Sequence, residues 1–109
     1  MKTYSSSSSS GPDLLHPEKY NFRYSISGDE EIAPVKIFDD GEFTYLQFRE
    51  KNAELPAIFA VDEDLRESMV NYHLSADQKN LVIIEHVFHK FSVRYDKKIV
   101  CIFNEAIKR

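Results

Sequence analysis

Phe91-Ser-Val-Arg-Tyr-Asp-Lys-Lys-Ile-Val-Cys-Ile-Phe103 is the stretch whose reading decides the fold. Phe91, Val93 and Tyr95 alternate with Ser92 and Arg94, the period-two pattern of a strand with one buried face. Asp96-Lys97 interrupts where a tight turn fits, and Ile99 to Phe103 returns as an unbroken apolar run. The two halves read as an antiparallel hairpin. The return strand is apolar on both parities, with Ile99, Cys101 and Phe103 on one face and Val100 and Ile102 on the other. A strand with a solvated face alternates, whereas one covered on both faces reads as continuous apolar sequence. The hairpin therefore predicts an antiparallel sheet with something lying on its second face.

The same grammar repeats outward from it. Phe22, Tyr24 and Ile26 alternate with Asn21, Arg23 and Ser25, and Ser27-Gly28-Asp29 turns the chain. Val35 to Phe38 and Phe43 to Phe48 flank Asp39-Asp40-Gly41, where a hairpin turn needs a residue tolerant of positive φ. Ala57 to Val61 ends at Asp62-Glu-Asp64, Val70, Tyr72 and Leu74 alternate with Asn71 and His73, and Leu81 to Ile84 is apolar throughout. Asp64 to Ser68 is the one weak helix candidate, about one turn long. About eight short strands with turns at roughly 8 to 12 residues predict an all-β fold, a small antiparallel β-sandwich, rather than βαβ units.

Three runs, Ala57 to Val61, Leu81 to Ile84 and Ile99 to Phe103, lack a polar parity. A two-layer sandwich buries one face of each sheet, so these runs need a further cover. An external partner is one source, and a peptide that adds to a sheet edge or wraps a sheet face is the simplest kind. Edge closure, barrel curvature or the loop from Glu50 to Pro56 is the internal alternative. On the partner reading the contact residues are Leu81, Val82, Ile83, Ile84, Ile99, Val100, Cys101, Ile102 and Phe103.

Composition narrows the function classes. The chain has 109 residues. Ser5 to Ser10 with Gly11-Pro12 cannot join a core, and residues 1–19 read as a disordered leader and linker ahead of a single domain over 20–109. Eighteen acidic against fourteen basic side chains give a net charge of -4. That is the wrong sign for binding nucleic acid through its phosphates. No run approaches the ~20 consecutive apolar residues of a membrane span, and residues 1–12 lack the apolar segment of a secretory signal, so the chain reads as soluble.

The residues able to carry chemistry favour structural roles. Asp39 and Asp40 are adjacent carboxylates, but neighbours in an extended segment diverge and Gly41 follows, so a turn explains them. His86 and His89 have a helical metal-ligand spacing, yet on strand-like sequence they face opposite sides, and no complementary ligand is in place. Glu85 beside His86 fails as a dyad for the same reason. Cys101 sits in Ile-Val-Cys-Ile-Phe without an activating turn or helix start, which leaves a buried inert thiol or one kept for an intermolecular bond. Tyr20, Tyr24, Tyr45, Tyr72, Tyr95 and eight phenylalanines are read as core before they are read as a stacking platform. No catalytic residue, metal ligand or cofactor site is assigned, and the chain is read as a non-enzyme.

Four sequence words, in order, carry a family resemblance. They are Asn21-Phe-Arg-Tyr24, Pro34 to Tyr45 with its Phe-Asp-Asp-Gly centre, Leu55-Pro-Ala-Ile-Phe59 and Val70-Asn-Tyr72. The segment from Asn21 to Glu105 resembles the C-terminal domain of the TrbG/CagX-type subunit of bacterial type IV secretion systems. The resemblance implies a scaffold β-sandwich of the outer-membrane core complex, periplasmic and outer-membrane associated in a Gram-negative bacterium. It implies as partners a small outer-membrane lipoprotein, a TrbI-like channel subunit and further copies of the chain in a ring, in machinery that exports protein or DNA. In members of this family an export signal and an N-terminal domain precede this segment. A free-standing carbohydrate-binding or adhesion sandwich is the alternative and requires an exposed aromatic row, while a small hydrolase requires a convergent polar pocket.

Overall fold

The structure, a computed structural model, describes residues 15–49 and 55–107. The leader through residue 14 and the loop at residues 50–54 lie outside that range, and with them two of the expectations above. Among the described residues the strands are β1 (Tyr24–Gly28), β2 (Lys36–Asp39), β3 (Thr44–Gln47), β4 (Ala57–Val61), β5 (Glu67–Met69), β6 (Tyr72–Leu74), β7 (Leu81–Ile84), β8 (Lys90–Tyr95) and β9 (Lys98–Asn104). Two sheets form, one in the order β1-β9-β8-β4-β5 and one in the order β2-β3-β7-β6. Every pairing is antiparallel. This is the expected sandwich, with one strand more than anticipated.

The extra strand replaces the helical turn expected at Asp64 to Ser68. The Asp62 carboxylate accepts the backbone N–H of Asp64 and of Arg66, both at 2.9 Å. Leu65 N–H donates to the Asp62 carbonyl at 3.0 Å, and Leu65 takes a left-handed φ of 65°. These bonds reverse the chain, and Glu67–Met69 runs back along β4. Glu67-Ser-Met69 holds a single apolar residue, so it offers no alternation for periodicity to reveal.

The β8–β9 hairpin forms as its sequence dictates, with Tyr95 opposite Lys98 and Asp96 at a φ of 56°. Its buried parity, Phe91, Val93, Val100 and Ile102, meets Ile37, Leu46, Val82 and Ile84 of the other sheet. Side chains of this size contribute roughly 1.5 to 3 kcal/mol each when fully buried. The opposite parity of β9, Ile99, Cys101 and Phe103, faces outward and is only partly covered.

Leu81 to Ile84 behaves differently, because all four side chains are at most 2% exposed. Val82 and Ile84 join the central core, while Leu81 and Ile83 form a second cluster with Phe38 and Tyr45, against which Tyr20 and Phe43 pack. The Phe38 and Tyr45 rings stack at 5.0 Å, and Tyr20 stands edge-on to Phe38 at 5.5 Å. The cover for this double-sided strand therefore comes from the chain's own aromatic side chains, including the segment that leads into β1.

The β2–β3 hairpin shows why Asp-Asp-Gly stands where it does. Asp40 Oδ1 accepts the N–H of Glu42 at 2.9 Å and of Phe43 at 2.8 Å, and Asp39 Oδ1 accepts that of Gly41 at 3.0 Å. Gly41 has a φ of +95° with no atom within 4 Å of where a Cβ would stand, so a side chain here meets a conformational obstacle and no clash. Gly41→Val is expected to lower stability by about 1 to 3 kcal/mol in urea unfolding, since a β-branched residue resists that φ. An unchanged midpoint would disprove the assigned turn geometry.

Candidate functional site

β1 and β2 are edge strands of their respective sheets. Asp29 N–H bonds the Ile99 carbonyl at 3.1 Å and Glu105 N–H bonds that of Arg23 at 2.7 Å, bracketing the β1–β9 pairing. Antiparallel bonding alternates along a strand, so Ser25 and Ser27 direct their backbone groups at β9 while Ile26 and Gly28 direct theirs to the open edge. On β2, Asp39 exchanges backbone bonds with Asn21 at 2.8 and 3.0 Å, which places the backbone groups of Ile37 on the outer edge by the same alternation.

A cleft of about 480 Å³ lies at these edges, lined by Tyr20, Phe22, Tyr24, Ile26, Val35 and Phe38 among others. Phe22, Ile26 and Val35 are 56, 43 and 49% exposed. Contiguous apolar exposure of this kind, beside unpaired strand edges, has the chemistry that suits an added extended chain. Among the described residues Lys36 is the one cation in the lining.

A polar network borders the cleft. The Tyr24 hydroxyl donates to Asp39 Oδ2 at 2.6 Å and accepts from Asn104 Nδ2 at 3.1 Å. Asn21 Nδ2 donates to Asp39 Oδ2 at 2.9 Å and to Asn104 Oδ1 at 3.1 Å. Asp39 and Asn104 are both buried. Burial, followed by the neighbouring Asp39 carboxylate, pushes the Tyr24 hydroxyl pKa far above the usual tyrosine value, which keeps it a donor. Burial and Asp40 act likewise on Tyr45, whose hydroxyl lies 3.1 Å from Asp40 Oδ2.

The CagX family, described as conjugal transfer protein, matches residues 2–105. The chain belongs to this family. It is 34% identical over 93 residues to the type IV secretion system protein virB9 of Brucella suis biovar 1, a match covering 83% of the chain and 32% of that relative. Against protein virB9 of Agrobacterium fabrum it is 30% identical over 89 residues, 82% of the chain and 29% of the relative. Against the type IV secretion system protein PtlF of Bordetella pertussis it is 42% identical over 66 residues, 58% of the chain and 23% of the relative. The chain thus spans about a third or less of the length of these relatives.

In this CagX-family domain the residues assigned to a partner surface separate. Leu81, Val82, Ile83 and Ile84 are enclosed by the chain itself, and Val100 and Ile102 belong to the central core. Ile99, Cys101 and Phe103 remain on the outer face of the five-stranded sheet. Register puts Met69, Phe59, Ser92, Cys101 and Ser27 in one row across that face. Cys101 is a free, half-buried thiol. Lys90 Nζ stands 5.1 Å from the centre of the Phe103 ring.

The same face carries an ion pair, Arg94 Nη2 to Glu67 Oε2 at 2.8 Å, with Ser92 Oγ donating to the same oxygen at 2.8 Å. The bonds from Arg94 and Ser92 hold the Glu67 carboxyl below its usual pKa. A carboxylate whose folded pKa is depressed adds stability that is present above its unfolded pKa and lost as pH falls through the folded one. Glu67→Gln is therefore expected to shrink the difference in melting temperature between neutral and acidic pH. An identical difference in parent and variant would sink this assignment.

His86 and His89 lie in the β7–β8 connection, not on a strand as expected from their neighbours. The His86 carbonyl accepts the Thr44 hydroxyl at 2.7 Å, and the His89 carbonyl accepts Asn104 N–H at 2.9 Å. Among the described residues no group of three or more His, Cys, Asp or Glu is placed to hold a metal ion. No helix among them is long and apolar enough to cross a membrane. Asp39 exceeds its expected role, being a turn residue and also the acceptor at the centre of the network. The cleft residues Phe22, Ile26 and Val35 were not anticipated as a site. The alternation Phe22, Tyr24, Ile26 was the available signal, but it implied burial of all three, whereas Tyr24 packs against the core and Phe22 and Ile26 stay exposed.

Proposed function

We propose that this domain is a non-enzymatic scaffold of a type IV secretion system in the envelope of a Gram-negative bacterium. Its β1–β2 cleft receives an extended segment of a small outer-membrane lipoprotein. The outer face with Ile99, Cys101 and Phe103 packs against a TrbI-like channel subunit, and further copies of the chain complete a ring engaged in conjugation or protein export. Family membership supports the setting. The cleft supports the lipoprotein reading, because an incoming strand finds both unpaired backbone groups at Ile26 and Gly28 and apolar side chains beside them. Exposed Tyr72 and Tyr95 stand on different sheets, and the aromatic side chains that do gather, Tyr20, Phe22 and Phe38, line the cleft that this reading gives to the extended segment.

Synthetic peptides spanning the mature lipoprotein encoded with this subunit, titrated into the isotope-labelled domain, test the reading. Binding is expected to protect the amides of Ile26 and Gly28 from exchange and to be abolished by Ile26→Asp. Saturation by a peptide that leaves both amides unprotected, or failure of every peptide to bind, would remove the cleft from this role.

A further inference from the structure

The two sequence words Asn21-Phe-Arg-Tyr24 and Asp39-Asp40-Gly41 meet at the cleft, through the Asn21–Asp39 backbone pair ahead of β1 and through a side-chain bond from Tyr24 within β1. Tyr24 belongs to the edge strand of one sheet and Asp39 to the edge strand of the other. The Tyr24 ring lines the cleft, while its hydroxyl crosses to Asp39 Oδ2 at 2.6 Å. Asp39 is itself fixed, since Asn21 Nδ2 and Gly41 N–H also donate to its carboxylate. Asn104 holds the far side of the Tyr24 hydroxyl and anchors to the Phe88 carbonyl and Ala106 N–H. Four of the five residues of β1 are exposed, so little apolar packing holds that strand against its own core.

We propose that Tyr24 and Asp39 are a positioning pair that sets the separation of β1 and β2, so that the cleft is preformed for an extended ligand. The inference rests on reading the cleft as the ligand site. A strand that adds to a fixed edge orders only itself, whereas one that adds to a loose edge must order β1 as well, and the second case binds more weakly. The contact is polar and partly buried, which gives it a defined direction that apolar packing along a five-residue edge strand does not supply.

Tyr24→Phe removes the cross-sheet bond and keeps the ring. Amide exchange in the ligand-free domain is the primary readout, at Ser25 and Ser27, whose N–H groups face β9, and at Val93 and Val100 in the core. Core amides report global opening, and those of an edge strand report its local release. The expected result is at least about tenfold faster exchange at Ser25 and Ser27. Asp39→Asn, which retains an acceptor oxygen for the tyrosine, should accelerate them less. Faster exchange at Val93 and Val100 with Ser25 and Ser27 unchanged would show a general stabilising role and overturn the proposal. With a lipoprotein peptide that binds the parent, Tyr24→Phe should weaken affinity at least about tenfold at a temperature where the fold is intact; unchanged affinity would also overturn it. If no peptide binds the parent, the docking reading fails, and the exchange measurement still judges the pair.

Discussion

Gly28→Ala is expected to destabilise the domain by about 3 kcal/mol or more, from left-hand backbone strain combined with overpacking. Gly28 ends β1 at a φ of +131°, opposite Val100 of β9. A Cβ there would overlap the Ile99 carbonyl oxygen and stand 2.8 Å from the Val100 Cα. Both obstacles are backbone atoms of a central strand, which cannot rotate aside as a long side chain would. The variant must therefore pull β1 away from β9, and with it the Ser25 and Ser27 pairings. Urea unfolding of parent and variant gives the measurement, and a loss under 1 kcal/mol would mean that β1 relaxes at little cost, as expected only of a strand not seated in the sheet.

Asp39→Ala is expected to cost about 3 kcal/mol, because it removes a buried carboxylate that gathers three partly buried donors. The Tyr24 hydroxyl and the Gly41 N–H lose their acceptor at once, and the Asn21 amide loses one of its two. Asp39→Asn keeps one carbonyl oxygen and should lose less than half as much. The comparison is made by thermal and urea unfolding of both variants, and equal losses from the two would show that the carboxylate does not organise its neighbours. Unlike Gly28→Ala, which breaks a strand pairing within one sheet, this change acts on a bond between sheets.

Much of the fold was legible in the sequence because short antiparallel strands are written in local patterns. The β8–β9 hairpin needed only period-two alternation and Asp96-Lys97, and the β2–β3 hairpin only Asp39-Asp40-Gly41 between apolar runs. β5 was illegible since Glu67-Ser-Met69 carries no apolar alternation, and its direction is set by the Asp62 side chain. The candidate site was harder. Apolar residues on both parities marked Leu81 to Ile84 and Ile99 to Phe103 alike as needing cover, and the pattern contains nothing that tells an internal cover from an external one.

By itself the sequence determined the class of fold, the strands and turns of its main hairpins, and the words that place the chain in its family. Each of these depends on neighbours a few residues apart, where backbone sterics and side-chain alternation decide the outcome. Tertiary structure alone decided that Tyr20 and Phe43 pack over the second face of β7, that β1 and β2 end as open edges around a cleft, and that Asp39 is an anchor as well as a turn residue. The bond between Asn21 and Asn104 joins residues 83 positions apart. No local propensity selects such a contact; it exists because folding both sheets brings their ends together and leaves buried polar groups that must find one another.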